Sequence, residues 1–175
     1  MNDFWVFGYG SLMWRPGFDF VEATKGRLFG YRRALCIYSW VHRGTQDKPG
    51  LVLGLDRGGS CTGMVFRVDG ANRQTVLAYL RERELVTNVY LERSAPVHLP
   101  DGRRITAVCY VADQHHEQFA GHLSADDAAR RVSVSEGRSG HNADYVASTV
   151  EHLKEMNIRD HWLEDVARLM DRPLR

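Results

Sequence analysis

The order of apolar and polar positions divides the chain into a strand-rich stretch and a helical last third. Phe4-Trp5-Val6-Phe7 is an unbroken apolar run that predicts a short buried strand. It leads directly into Gly8-Tyr9-Gly10-Ser11-Leu12, where closely spaced glycines mark a tight, exposed turn, and Pro16-Gly17 closes the segment. Strands are predicted over residues 24–29 and 33–38, with Gly30-Tyr31 between them, and over 51–55 and 61–68, with a turn cluster at 56–60. The polar stretch 42–50 reads as a loop. Asp69 is a helix cap, and Val76, Leu77 and Leu80 follow at helical spacing, with Arg73, Gln74, Arg81 and Glu82 on the other face. That helix should fade near Arg83-Glu84, because the β-branched residues of Val86-Thr87-Asn88-Val89 are poor helix formers. A strand over 86–99, broken at Pro96, a hairpin turn at 100–103 and a strand over 105–111 complete the first part.

In the last third, Ser124 followed by Asp126-Asp127 opens a helix with a serine cap and an acidic first turn. A second helix is predicted over 142–156, with Tyr145, Thr149, His152 and Leu153 on one side. A third is predicted over 160–170, striped by Trp162, Val166 and Leu169. The expected fold class is α+β, with strands forming a meander or small barrel, and the length fits a single domain over 1–175.

Charge narrows the classes of partner. Lys plus Arg number 23 and Asp plus Glu 22, a net charge of +1, and the basic pairs are scattered. No affinity for nucleic acid or anionic membrane is expected. No apolar run is long enough to cross a bilayer, and the first residues lack the basic and apolar regions of a signal peptide. The three cysteines, Cys36, Cys61 and Cys109, sit in apolar, strand-like runs and read as buried core thiols. These features predict a soluble, cytoplasmic protein, taken as a monomer.

Few residues stand out as chemical candidates. Glu84 would lie near the negative end of a helix dipole; enclosed in a cleft, it could exchange protons near neutral pH. By spacing alone, an ordinary surface glutamate at a frayed helix end is the better reading. The Tyr9-Gly10-Ser11-Leu12 turn offers successive backbone N–H groups that could bind a carboxylate or an oxyanion, and equally reads as a plain turn. Arg43 could grip a substrate carboxylate through paired hydrogen bonds, or brace its own loop. Ser39 and His42 lack the Gly-x-Ser-x-Gly elbow of a serine hydrolase. His115, His116 and His122 lack metal-site spacing, so neither metal nor cofactor is expected.

Four segments resemble one family. Trp5-Val6-Phe7-Gly8-Tyr9-Gly10-Ser11-Leu12-Met13-Trp14-Arg15-Pro16-Gly17-Phe18 is similar to the start of the ChaC-type gamma-glutamyl cyclotransferases. His42-Arg43-Gly44-Thr45 with Lys48-Pro49-Gly50, Tyr79-Leu80-Arg81-Glu82-Arg83-Glu84, and Gly140-His141-Asn142-Ala143-Asp144-Tyr145 follow in family order, covering nearly the whole chain. The resemblance implies a small mixed β-barrel with flanking helices. It also implies conversion of the small molecule glutathione to 5-oxoproline and cysteinylglycine. It makes Glu84 the proton shuttle and the backbone of Tyr9, Gly10, Ser11 and Leu12 the cradle for the gamma-glutamyl group. Arg43, Tyr90 and Tyr145 are the further expected substrate-binding residues. The family's run of a basic residue and Gly-Gly-Tyr after the catalytic glutamate is replaced here by Leu85-Val86-Thr87-Asn88-Val89-Tyr90, with only the tyrosine kept, as in a bacterial branch. A cyclotransferase for another gamma-glutamyl amine, or a non-catalytic binding protein on the same barrel, are the rival expectations.

Overall fold

A computed structural model of the chain describes residues 2–170. These fall into two compact units, one formed by residues up to Arg33 together with Leu55–Asp113, the other by Ala34–Gly54 together with the residues from Gln114 onward. Two long strands belong to both.

The first unit contains a closed five-stranded barrel. Its strands are β1 (Phe4–Gly8), β2 (Glu22–Ser39), β3 (Gly50–Val68), β4 (Tyr90–His98) and β5 (Arg104–Ala112), in the spatial order β1-β3-β2-β4-β5. β1 runs antiparallel to β3, with Phe4 opposite Val68 and Gly8 opposite Met64, and parallel to β5, with Trp5 opposite Ala107. That parallel pair closes the barrel and makes it mixed, the α+β barrel anticipated from the sequence.

The strands of the barrel wall have two apolar faces to satisfy. Phe7, Leu28, Leu55, Val65, Val97, Ala107, Cys109 and Val111 form one buried cluster, with Trp5 packed against it. Phe4, Val6, Val68 and Tyr110 form a second, on the opposite faces of the same strands. Helix α1 (Arg73–Glu84) covers this second face with Val76 and Leu80. Burial on both faces explains why β1 and residues 107–112 of β5 are written as unbroken apolar runs rather than as alternating ones. A 3₁₀ turn at Gly70–Asn72 leads into α1, and the carboxylate of Asp69 accepts the Ala71 N–H at 2.9 Å, as its capping position predicts.

The pairs of strands expected at 24–29 with 33–38, and at 51–55 with 61–68, are two continuous strands of 18 and 19 residues. Gly30 (φ +96°), Gly58 (φ +102°) and Gly59 (φ +71°) take left-handed backbone angles inside them, bending the strands without ending them. Pro96 likewise lies inside β4, opposite Thr106.

In the second unit, helices α2 (Ala125–Val134), α3 (Asn142–Glu155) and α4 (His161–Leu169) pack on one another, and Ala128, Val132, Val146, Leu153, Leu163 and Val166 on them are buried. A two-stranded ribbon, β6 (Glu136–Gly137) with β7 (Gly140–His141), separates α2 from α3. The Ser124 hydroxyl caps α2 and the Asp160 carboxylate caps α4. No helix among the described residues is long and apolar enough to cross a membrane.

Asn142, fully buried, holds β3 to the start of α3: its Oδ1 accepts the Leu51 N–H at 2.8 Å and its Nδ2 donates to the Leu51 carbonyl at 2.9 Å. Asn142→Ala leaves a buried N–H and C=O without partners, and each such group costs about 1–3 kcal/mol. Urea unfolding should therefore show a loss of at least about 2 kcal/mol.

Candidate active site

The apolar run of β1 ends at Gly8, and the chain turns sharply. A Cβ on Gly8 would press within 3.1–3.3 Å of Leu12 Cβ and the Leu12-Met13 backbone, so glycine lets the turn pack closely on the end of β1. Gly10 precedes a single 3₁₀ turn, Ser11–Met13, whose Met13 N–H returns to the Gly10 carbonyl at 2.9 Å. Ser11 and Leu12 open this turn, so their N–H groups have no carbonyl one turn back to bind. Leu12 is buried in the cluster beneath α1, whereas Ser11 is exposed.

Two arginines grip the turn. Arg33 on β2, only 6% exposed, donates from Nε to the Tyr9 carbonyl at 2.7 Å and from Nη2 to the Thr62 carbonyl at 2.8 Å. Arg83 in the last turn of α1 donates from Nη2 to the Ser11 hydroxyl at 3.0 Å. Its Nη1 reaches the carbonyls of Arg15 at 2.7 Å and Pro16 at 3.2 Å, and the Tyr79 hydroxyl at 3.1 Å. Neither arginine stood out in the sequence by a role of its own. Alternation on β2 could have flagged Arg33 as an inward position, but Arg83 carries no such signal.

Glu84 is the last residue of α1, with its side chain 20% exposed and Oε1 3.6 Å from Arg83 Nε. Burial pushes its pKa above the ordinary 4.5, and the Arg83 charge pulls the other way with smaller effect. It moves against the other acids with a resolved shift. Asp3, Glu22, Glu92, Asp101, Asp127 and Glu164 are all held low by hydrogen bonds from arginines or backbone amides. Nearby Glu92 is an example: Arg81 binds it at both oxygens, at 3.0 and 3.1 Å, and Tyr110 donates to it at 2.9 Å. An enclosed carboxylate with a raised pKa is suited to exchange protons, and one neutralised by an arginine is not.

Tyr90 starts β4 and packs, half-buried, on the same apolar cluster as Leu12 and Leu80. The turn, the end of α1 and Tyr90 thus gather in the first unit. Arg43 and Tyr145 lie in the second, where the Arg43 guanidinium stacks 5.5 Å from the Tyr145 ring centre. Arg43 also donates to the His141 carbonyl at 3.1 Å, and the Tyr145 hydroxyl accepts the Leu53 N–H at 3.0 Å. The Ser39 hydroxyl accepts the Arg43 N–H, and His42 pairs with Ser139, so the two do not form a hydrolase dyad. Burial pushes the Cys109 thiol up to about 12, which makes it a poor nucleophile. Among the described residues no cluster of three or more His, Cys, Asp or Glu could hold a metal ion.

The ChaC-like protein family matches residues 4–172 of the chain. The glutathione-specific gamma-glutamylcyclotransferase of Escherichia coli (strain K12) is 35% identical over 162 residues, 93% of this chain and 70% of that protein. Glutathione-specific gamma-glutamylcyclotransferase 1 of Danio rerio is 33% identical, over 87% of this chain and 80% of its own. In fold, the chain is similar to the crystal structure of a gamma-glutamyl cyclotransferase specific to glutathione from yeast. That similarity has a TM-score of 0.81 at 24% identity and covers 97% of this chain and 98% of the other.

Glu84 also leaves a mark on stability. A carboxyl whose pKa is raised by folding stabilises the folded state while protonated, below the unfolded value of 4.5, and loses that contribution as pH rises through the folded value. Glu84→Gln should therefore melt above the wild type near neutral pH, with the difference closing once the pH falls below the unfolded pKa. Thermal melts followed by circular dichroism at the two extremes check this.

Proposed function

The chain belongs to the ChaC-like family, and on that premise we propose that it is a gamma-glutamylcyclotransferase acting on glutathione. The observation that carries the reading is the desolvated carboxylate of Glu84 at the end of α1, tied through its neighbour Arg83 to the turn at Tyr9–Leu12.

The reaction is an internal one. The substrate's α-amine attacks the carbonyl carbon of its own γ-amide, a C–N bond closes the five-membered ring, and the old C–N bond to the cysteinyl nitrogen breaks. The products are 5-oxoproline and cysteinylglycine, so the enzyme is a carbon–nitrogen lyase. No protein nucleophile is required. The gain comes from folding the substrate so that amine and carbonyl meet, for which effective molarities reach about 10⁵ M and more.

In this mechanism Glu84, as carboxylate, takes the proton from the attacking nitrogen and returns it to the departing amine. The N–H groups at Gly10, Ser11 and Leu12 hold the gamma-glutamyl end, at its α-carboxylate or at the oxyanion, and Tyr9 and Tyr90 flank it. The expected Arg43 and Tyr145 contributions remain part of the proposal as substrate-binding residues. Three free thiols, Cys36, Cys61 and Cys109, support a reducing compartment such as the cytoplasm.

Purified protein incubated with glutathione should release 5-oxoproline and cysteinylglycine, followed by mass spectrometry. Glu84→Gln should lose about 100- to 10,000-fold in kcat while still binding substrate. Near-wild-type turnover by that variant removes Glu84 from the chemistry. The wild-type rate should fall on the acid side through a pKa above 4.5, because only ionised Glu84 can accept the proton.

A further inference from the structure

Neighbouring side chains on a helix diverge by about 100°, yet Arg83 and Glu84 approach each other. The guanidinium of Arg83 has two working edges. Its Nε edge faces Glu84 Oε1 at 3.6 Å. Its terminal nitrogens face the segment after β1, through Ser11 Oγ, the Arg15 carbonyl and the Pro16 carbonyl. On the other shoulder of the same turn, buried Arg33 holds the Tyr9 carbonyl and lies 3.9 Å from Met13 Sδ. A flat, rigid fork of donors can span two partners at fixed angles, which neither a lysine nor a neutral amide of shorter reach can do.

We propose that Arg83 is a positioning residue for catalysis, a bridge that sets the place of the Glu84 carboxylate relative to the substrate-binding turn. This rests on the function proposed above for Glu84 and the turn. Substrate held by the turn and the group that moves its proton then share one rigid frame, and displacing either by about 1 Å can cost on the order of 100-fold in rate. Two titratable or charged groups couple electrically to Glu84: Arg83 on its own helix and Tyr110 on β5. Burial holds the Tyr110 phenol protonated well above its ordinary range, so it does not titrate in the acid range, and Glu92, bonded to Tyr110, is held low by Arg81.

The test compares wild type, R83Q, S11A and the double variant, each checked for folding by circular dichroism and assayed for cysteinylglycine release. Expected are a fall in kcat of about 10- to 100-fold for R83Q with KM moving much less, and an upward shift of its acid limb. S11A removes the Nη2 acceptor and should give a smaller kcat loss of about 3- to 10-fold. Its effect should be largely absent when Arg83 is already gone, because residues joined in one network are non-additive. Wild-type kcat and acid limb in folded R83Q, or fully additive losses in the double variant, overturn the proposal. If R83Q does not fold, S11A alone decides: wild-type kcat in S11A overturns it. A wild type that makes no product overturns the glutathione reading instead. Product lost in Glu84→Gln but kept in R83Q and S11A leaves that reading standing and removes only the role of Arg83.

Discussion

Burial of β1 on both faces is the constraint from which the candidate site follows. Trp5 and Phe7 point to one apolar cluster, and Phe4 and Val6 to the other. A slip of one residue against β3 or β5 would exchange the two sets, so the register is held firmly. With β1 held, the turn at Gly8–Leu12 emerges at one point only. The cluster that contains Phe4 and Val6 also contains Val76 and Leu80, so the same packing sets the axis of α1. The end of that helix and the turn after β1 are brought together by hydrophobic packing, and the polar contacts between them refine a meeting already arranged.

Glu84 then lives in a balance. Burial pushes it toward the protonated form, whereas a close arginine with ideal hydrogen bonds would hold it ionised. Glu92 illustrates the second outcome, bound at both oxygens by Arg81. Arg83 Nε stands 3.6 Å from Glu84, too far for a hydrogen bond, while its terminal nitrogens are occupied by Ser11 and the carbonyls of Arg15 and Pro16. The charge is felt and the lone pairs of the carboxylate stay available. A single side chain thereby holds the turn and tempers the acid.

Much of this was legible in the sequence, and the exceptions have physical reasons. β1, the glycine turn, the capped helix with its Val76–Leu80 stripe, the hairpin before β5 and the three late helices all announce themselves through local periodicity and punctuation. The long strands do not, because Gly30, Gly58 and Gly59 look alike whether they end a strand or bend one, and only pairing with a neighbour decides. The strand expected from residue 86 starts instead at Tyr90; Asn88, at φ +59°, and the Asn88 N–H to Leu85 carbonyl bond make a turn of the intervening residues. At the site, residue types alone left Glu84 looking like a surface carboxylate, since its enclosure depends on packing far away in sequence. Only the resemblance to a family singled it out. Arg33 and Arg83 serve backbone carbonyls, and a carbonyl acceptor leaves no mark in the sequence.

The parallel pairing of β1 with β5 has a bearing on how the protein comes to be. Trp5 meets Ala107, roughly a hundred residues later, and nothing nearer in sequence can close that edge of the barrel. As the chain leaves the ribosome, its first strand, apolar on both sides, can pair with β3 but must then wait with its other edge bare until β5 has been made. Barrel closure is therefore a late, long-range event. During that interval the nascent chain exposes an unpaired, hydrophobic strand edge, the kind of surface that invites aggregation or a chaperone.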